Sequence, residues 1–78
     1  MPNVVLFHAA DCHLCEQARE VLRAELGGGF EEVDIGGDEA LEARYREWLP
    51  VVEIGGVRAF VYFVDPAALR RKLAQSRA

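Results

Sequence analysis

Two cysteines, one methionine and one tryptophan are all that the 78 residues hold of those types. No apolar run approaches the ~18 residues that a membrane-spanning helix needs. Neither a spanning chain nor a membrane partner is expected. Two cysteines are too few for a secreted disulfide scaffold, and a bridge closing so small a loop would contribute little as a staple. Basic residues are also scarce: nine Lys and Arg against thirteen Asp and Glu leave a net charge of -4. That balance opposes a sequence-independent grip on phosphate backbones, so nucleic acid is not an expected partner. Met1-Pro2-Asn3 carries no basic region, and Val4-Val5-Leu6-Phe7 is too short for the apolar centre of a signal peptide. A cytoplasmic address is the expectation. Internal repeats, low-complexity stretches and linkers are missing too, and so short a chain has room for one core, a single domain over 1–78.

What is present reads as alternating short elements. Residues 3–8 form a continuous run rich in branched apolar side chains, the pattern of a central strand buried on both faces. Leu14, Ala18, Val21, Leu22 and Leu26 then fall three or four apart, which predicts an amphipathic helix capped by Asp11 and ended by the glycines at 27–29. Phe30 to Ile35 reads as a shorter edge strand. Strand, helix and strand within ~30 residues make a right-handed parallel crossover. Asp38 caps a second helix running to about Glu47, on the spacing of Leu41, Tyr45 and Trp48. Pro50 forbids further helix and biases Leu49 to extended backbone. Residues 51–54 and 57–63 around Gly55-Gly56 read as a hairpin. Asp65 and Pro66 open a last helix with Leu69 and Leu73 as its buried stripe. Arg70, Arg71, Lys72 and Arg77 lie toward its end, where cations complement the helix dipole.

The one strong chemical signal is Cys12-His13-Leu14-Cys15, at the start of the first helix just past a buried strand. A thiolate is the reactive form of cysteine, and a helix N-terminus stabilises it with unpaired amides and the positive end of the dipole. The i, i+3 spacing brings Cys15 to the same side, close enough to attack a mixed disulfide formed on Cys12. His13 offers the thiolate a hydrogen bond or a positive charge, while Asp11 opposes it by like-charge repulsion.

With the order β-α-β-α-β-β-α around them, Asp11-Cys12-His13-Leu14-Cys15-Glu16 and Leu49-Pro50-Val51-Val52 resemble the small bacterial glutaredoxin-like proteins of the thioredoxin-fold superfamily. The resemblance covers essentially all 78 residues. It implies an α/β thioredoxin/glutaredoxin-like fold: a four-stranded mixed sheet in the order second, first, third, fourth, the third strand antiparallel to the first, with helices on both faces. It implies a thiol–disulfide oxidoreductase in which Cys12 is the nucleophile, Cys15 resolves, and Pro50 is cis and lies beside them. The Cys12–Cys15 disulfide is then the redox group and no further cofactor is expected. Glutaredoxins hold glutathione with a lysine a few residues before the first cysteine and with a Gly-Gly pair, followed by an acidic or hydroxyl residue, after the last strand. Here His8-Ala9-Ala10-Asp11 and Phe63-Val64-Asp65-Pro66 stand at those places, so free glutathione is expected to bind poorly. A polypeptide disulfide is the expected substrate, docked on the backbone of Leu49 beside Pro50 with Trp48 lining the groove. A monomer recycled by an unidentified reductant is expected.

Two other readings use the same pair. His8, Cys12, His13 and Cys15 supply the count for a metal site, although Cys12 and His13 would point about 100° apart on a helix. A small copper-carrier module also has a C-x-x-C after its first strand, but it resembles β-α-β-β-α-β, places a methionine where Ala10 stands, and ends on a strand. Leu41, Tyr45 and Trp48 read as the packed face of the second helix. Glu53 and Arg58 read as a solvated cross-strand pair, and His8 as a strand-end residue. The expected core is Val5, Leu6, Phe7, Leu14, Ala18, Leu22, Val33, Leu41, Val51, Val52, Phe60, Tyr62 and Leu69.

Overall fold

In the computed structural model, which describes residues 3–76, the opening apolar run forms β1 (Val4–His8) on the inside of a four-stranded sheet. The remaining elements are α1 (His13–Leu26), β2 (Glu31–Asp34), α2 (Glu39–Tyr45) continued by a short 3₁₀ helix (Arg46–Trp48), β3 (Val51–Ile54), β4 (Val57–Val61) and α3 (Pro66–Ser76). The strand order is β2-β1-β3-β4, with β1 parallel to β2 and antiparallel to β3. This is the mixed sheet that the family resemblance implies.

Successive residues of a strand face opposite sides, and the core divides accordingly. Val4, Leu6, Val52 and Ile54 pack with Ala18 and Leu22 of α1 and Leu69 of α3. Phe7 and Val51 turn the other way and pack with Tyr45 of α2, Ile35, Leu49 and Cys15. Tyr45 stacks on Phe7 with ring centroids 4.1 Å apart. Its hydroxyl donates to the Glu53 carboxylate at 2.8 Å. Glu53 does face Arg58 across the hairpin, but it also carries this bond, while the Arg58 guanidinium lies over the Tyr45 and Trp48 rings.

The punctuation is that of residues with special backbone freedom or restriction. Gly55 and Gly56 both have positive φ (61° and 82°), as a two-residue turn of the I′ type requires. Gly27 ends α1 at φ 59°, its N–H donating to the Arg23 carbonyl. On β4 the pairing skips Ala59, and this bulge lets Ala59 and Phe60 both pack against the α1–α3 side.

Leu14, expected in the core, is 43% exposed and Cys15 takes the inward position of the first turn at 1%. Neighbouring residues on a helix diverge by about 100°, so only one of them can face the sheet. Tyr62 is 43% exposed and lies beyond β4, which ends at Val61. Trp48, on the 3₁₀ turn rather than on α2, is 41% exposed, so the packed face reduces to Leu41 and Tyr45. Val5, Val33, Leu41 and Phe60 are half-buried at the margins of the two clusters. Among the described residues no cation stands in the last turn of α3; Arg70 instead reaches Glu25 of α1 at 2.8 Å, and Arg77 lies outside the described residues.

Candidate redox site

The chain leaves β1 at His8, turns through Ala10 and Asp11, and enters α1 with Cys12 as its N-cap. An N-cap residue needs extended backbone and a side chain that accepts an amide hydrogen. Cys12 has both, at φ -107° and ψ 101°, with its Sγ accepting the Cys15 N–H at 3.2 Å. Asp11, expected as the cap, instead adopts the left-handed conformation at φ 59°, which aspartate tolerates better than most residues. The Cys12 sulfur therefore sits where α1 presents unpaired amides and the positive end of its dipole.

Cys12 and Cys15 are joined as a disulfide with Cα atoms 5.2 Å apart. The two sulfurs are unequally placed: Cys12 is half-buried, whereas Cys15 is closed in among Phe7, Ala9, Ile35, Leu49 and Val51. Leu49, which precedes the cis Leu49–Pro50 peptide bond, thus shares one cluster with both cysteines. Pro50 is fully buried, and its carbonyl accepts the Tyr62 N–H at 3.0 Å.

The other expected site residues are spread around this centre. His13 stands on the solvent side of the first turn, its ring 3.8 Å from the Glu16 carboxylate and 3.3 Å from the Gln17 amide nitrogen. Trp48 lies tilted against Tyr62 at 6.2 Å between centroids, and Phe63, next along the chain from Tyr62, is exposed. Tyr62 was missed as a surface residue, and nothing in its residue type signals why. The Phe63 N–H donates to the Val61 carbonyl at 2.8 Å, closing a three-residue turn about Tyr62 at φ 71°, a region that bulky residues seldom enter. The Tyr62 hydroxyl donates to the Glu47 carbonyl, so one side chain and its backbone hold both flanks of the Trp48–Pro50 loop.

On the opposite side a hollow of about 220 Å³ opens between α1 and the ends of β1 and β2, reaching His8, both cysteines, Arg19 and Asp34. Below it Arg19 bonds Glu32 of β2, with Arg23 nearby. That hydrogen bond first, then the positive charges of Arg19 and Arg23, outweigh partial burial and hold the Glu32 carboxyl below the usual carboxylate range. Among the described residues, no three His, Cys, Asp or Glu side chains are arranged to hold a metal ion.

A family model described as glutaredoxin-like domain (DUF836) matches residues 3–74. The chain belongs to this glutaredoxin-like family. Its fold is similar to that of XcR50 from X. campestris, at 36% identity over 92% of this chain and 96% of that one, with a TM-score of 0.80. It is similar also to Ne2328 from Nitrosomonas europaea (25% identity, 91% and 89% of the two chains, TM-score 0.69). Fasciola hepatica thioredoxin shares the fold at 24% identity, covering 95% and 79%, with a TM-score of 0.57. No curated protein matches. A glutaredoxin-like fold with a Cys12–Cys15 pair at the mouth of its first helix supports a redox thiol–disulfide role. Among the described residues no helix is long and apolar enough to cross a membrane.

Proposed function

We propose that the protein is a thiol–disulfide oxidoreductase that acts on polypeptide disulfides in preference to glutathione mixed disulfides. The observation that carries this reading is the inequality of the two sulfurs: Cys12 accepts a helix amide at an accessible N-cap, and Cys15 is buried behind it. In the reduced protein the Cys12 thiolate attacks a substrate disulfide and expels one substrate thiolate, leaving a mixed disulfide. Cys15 then attacks the Cys12 sulfur, the second substrate thiolate leaves, and the protein is oxidised as the substrate is reduced. An external thiol reductant reverses these steps to restore the dithiol.

The substrate preference rests on the surroundings. No lysine stands among His8, Ala9, Ala10 and Asp11 before Cys12, and Phe63-Val64-Asp65-Pro66 stands where a glycine pair would expose backbone to a small anionic tripeptide. The exposed rings of Trp48, Tyr62 and Phe63 beside the Leu49–Pro50 segment suit an extended polypeptide instead. The proposal extends to a monomer working in the reducing cytoplasm. Insulin reduction compared with a glutathione-coupled assay is the test: the polypeptide reaction is expected to be the faster, and a glutathione-coupled rate equal to it or higher rejects the preference.

A further inference from the structure

Oxidation of a dithiol releases two protons, and the second comes from a thiol that solvent hardly reaches. Cys15 is 1% exposed, yet it must be deprotonated each time it resolves a mixed disulfide. The apolar side chains packed on it offer no acceptor. The hollow beside the disulfide does, since it reaches Cys15 and has volume for several water molecules.

The groups around that hollow differ in fitness for the task. Arg19, from α1, is bound to Glu32 of β2 and accepts no proton. Asp34, from β2, accepts the Gly36 N–H at 2.8 Å, and Glu16, from α1, lies by His13. A carboxylate is in general a weaker base toward a thiol than an imidazole is. His8 is the remaining ionisable side chain of the hollow apart from the cysteines. It ends β1, in register with Asp34, half-buried on the α1 side of the sheet. Imidazole is the one side chain whose ordinary titration falls between about pH 5 and 8, and it takes up and returns protons at neutral pH.

We infer that His8 is the proton acceptor for Cys15, reached through the hollow between α1 and the ends of β1 and β2. In the resolving step the Cys15 proton passes to the neutral His8 ring. The Cys15 sulfur forms a bond to the Cys12 sulfur, and the bond from Cys12 to the substrate sulfur breaks with its electron pair leaving on the substrate. Cys15 and Cys12 end oxidised, the substrate sulfur ends reduced, and protonated His8 passes its proton to solvent. The reverse reaction uses the same ring as the donor to Cys15 when that thiol departs. This inference rests on the exchange reaction proposed above.

The test is stopped-flow reaction of the reduced protein with dithiobis-nitrobenzoate, which yields a coloured thiolate at each of two steps. Attack by Cys12 scales with reagent concentration; expulsion of the second aromatic thiolate by Cys15 does not. That leaving group needs no proton, so the second step reports on deprotonation of Cys15 alone. Followed from about pH 5 to 8, the second step of the wild type is expected to quicken, because only a neutral ring can take up the proton. His8→Gln is expected to leave the first step unchanged and to slow the second about tenfold or more at neutral pH, leaving only the steady rise with hydroxide that any buried thiol shows. A second step with unaltered rate and pH profile in His8→Gln overturns the inference, as does an equal slowing of both steps. Should His8→Gln not fold, His8→Asn serves, and a wild-type second step that is flat over the same interval overturns it without any variant. Loss of the first step in wild type would instead refute the exchange reaction itself, so the two failures are distinguishable.

Discussion

At the scale of single residues, the site depends on which of two near-adjacent sulfurs meets solvent. Cys12 is expected to be alkylated first, with a rate that rises below the ordinary thiol pKa of ~8.5. Iodoacetamide labelling of Cys15→Ser against Cys12→Ser across pH checks this; a faster, more acidic Cys15 would reverse the roles. Tyr62 is the second residue whose placement has a consequence. Its left-handed φ costs on the order of 1–3 kcal/mol in a bulky residue, offset by its contacts with Trp48 and Glu47. Alanine would lose the contacts and keep the strain, whereas glycine would lose both. Tyr62→Gly is therefore expected to be more stable than Tyr62→Ala by about 1 kcal/mol in urea unfolding, opposite to the usual order of the two residues. The identity and spacing of the cysteines were legible in the sequence. Their unequal burial was not, because Cys15 reads as a reactive group although at this position it also serves as a small apolar core residue.

Among the elements, α2 is joined to the sheet by one polar contact as well as by packing. The Tyr45 hydroxyl donates to Glu53 of β3, and burial, followed by that bond to a carboxylate, pushes the phenol pKa up. Tyr45→Phe keeps the stacking on Phe7 but leaves the carboxylate without this donor, at an expected cost of about 1–2 kcal/mol in urea unfolding. A raised pKa contributes stability below the ordinary phenol value of ~10 and loses it as pH rises through the raised one. The difference between wild type and Tyr45→Phe should thus shrink in alkali; a constant difference would show that the hydroxyl has another role. Element order was legible because its boundaries fall at residues with restricted or unusual backbone: Gly27, Gly55-Gly56, Pro50 and Pro66. Element ends were less so. β4 stops two residues early because the turn about Tyr62 carries the chain back to bond the Pro50 carbonyl, a long-range contact that no local pattern encodes. The breaking of α2 into a 3₁₀ turn, which leaves Trp48 outside, likewise depends on where the Pro50 loop must go.

For the molecule as a whole, the parallel crossover and the hairpin were legible in the residues, whereas the order that joins the four strands was implied by the family resemblance. Charge is the property that adds up over the whole surface. With a net charge of -4, acid relieves repulsion among carboxylates in general, yet it also protonates those that the fold uses. Glu32 is held low chiefly by its hydrogen bond from Arg19, and Glu42 chiefly by its bond from Arg46 at 2.6 Å. A carboxyl whose pKa is depressed by folding contributes stability above its unfolded value, and that contribution is lost as pH falls through the depressed one. Glu32→Gln removes the pairing of α1 with β2 at neutral pH, at an expected cost below about 1 kcal/mol for so exposed a pair. The same substitution should cost nothing once pH has fallen below the carboxylate range, where wild-type Glu32 is itself neutral. Urea unfolding of both proteins from pH 7 downward is therefore expected to show two curves that converge toward acid. Parallel curves would mean that the Arg19–Glu32 contact acts through packing of its alkyl stems, with charge irrelevant to how the first helix is held on the sheet.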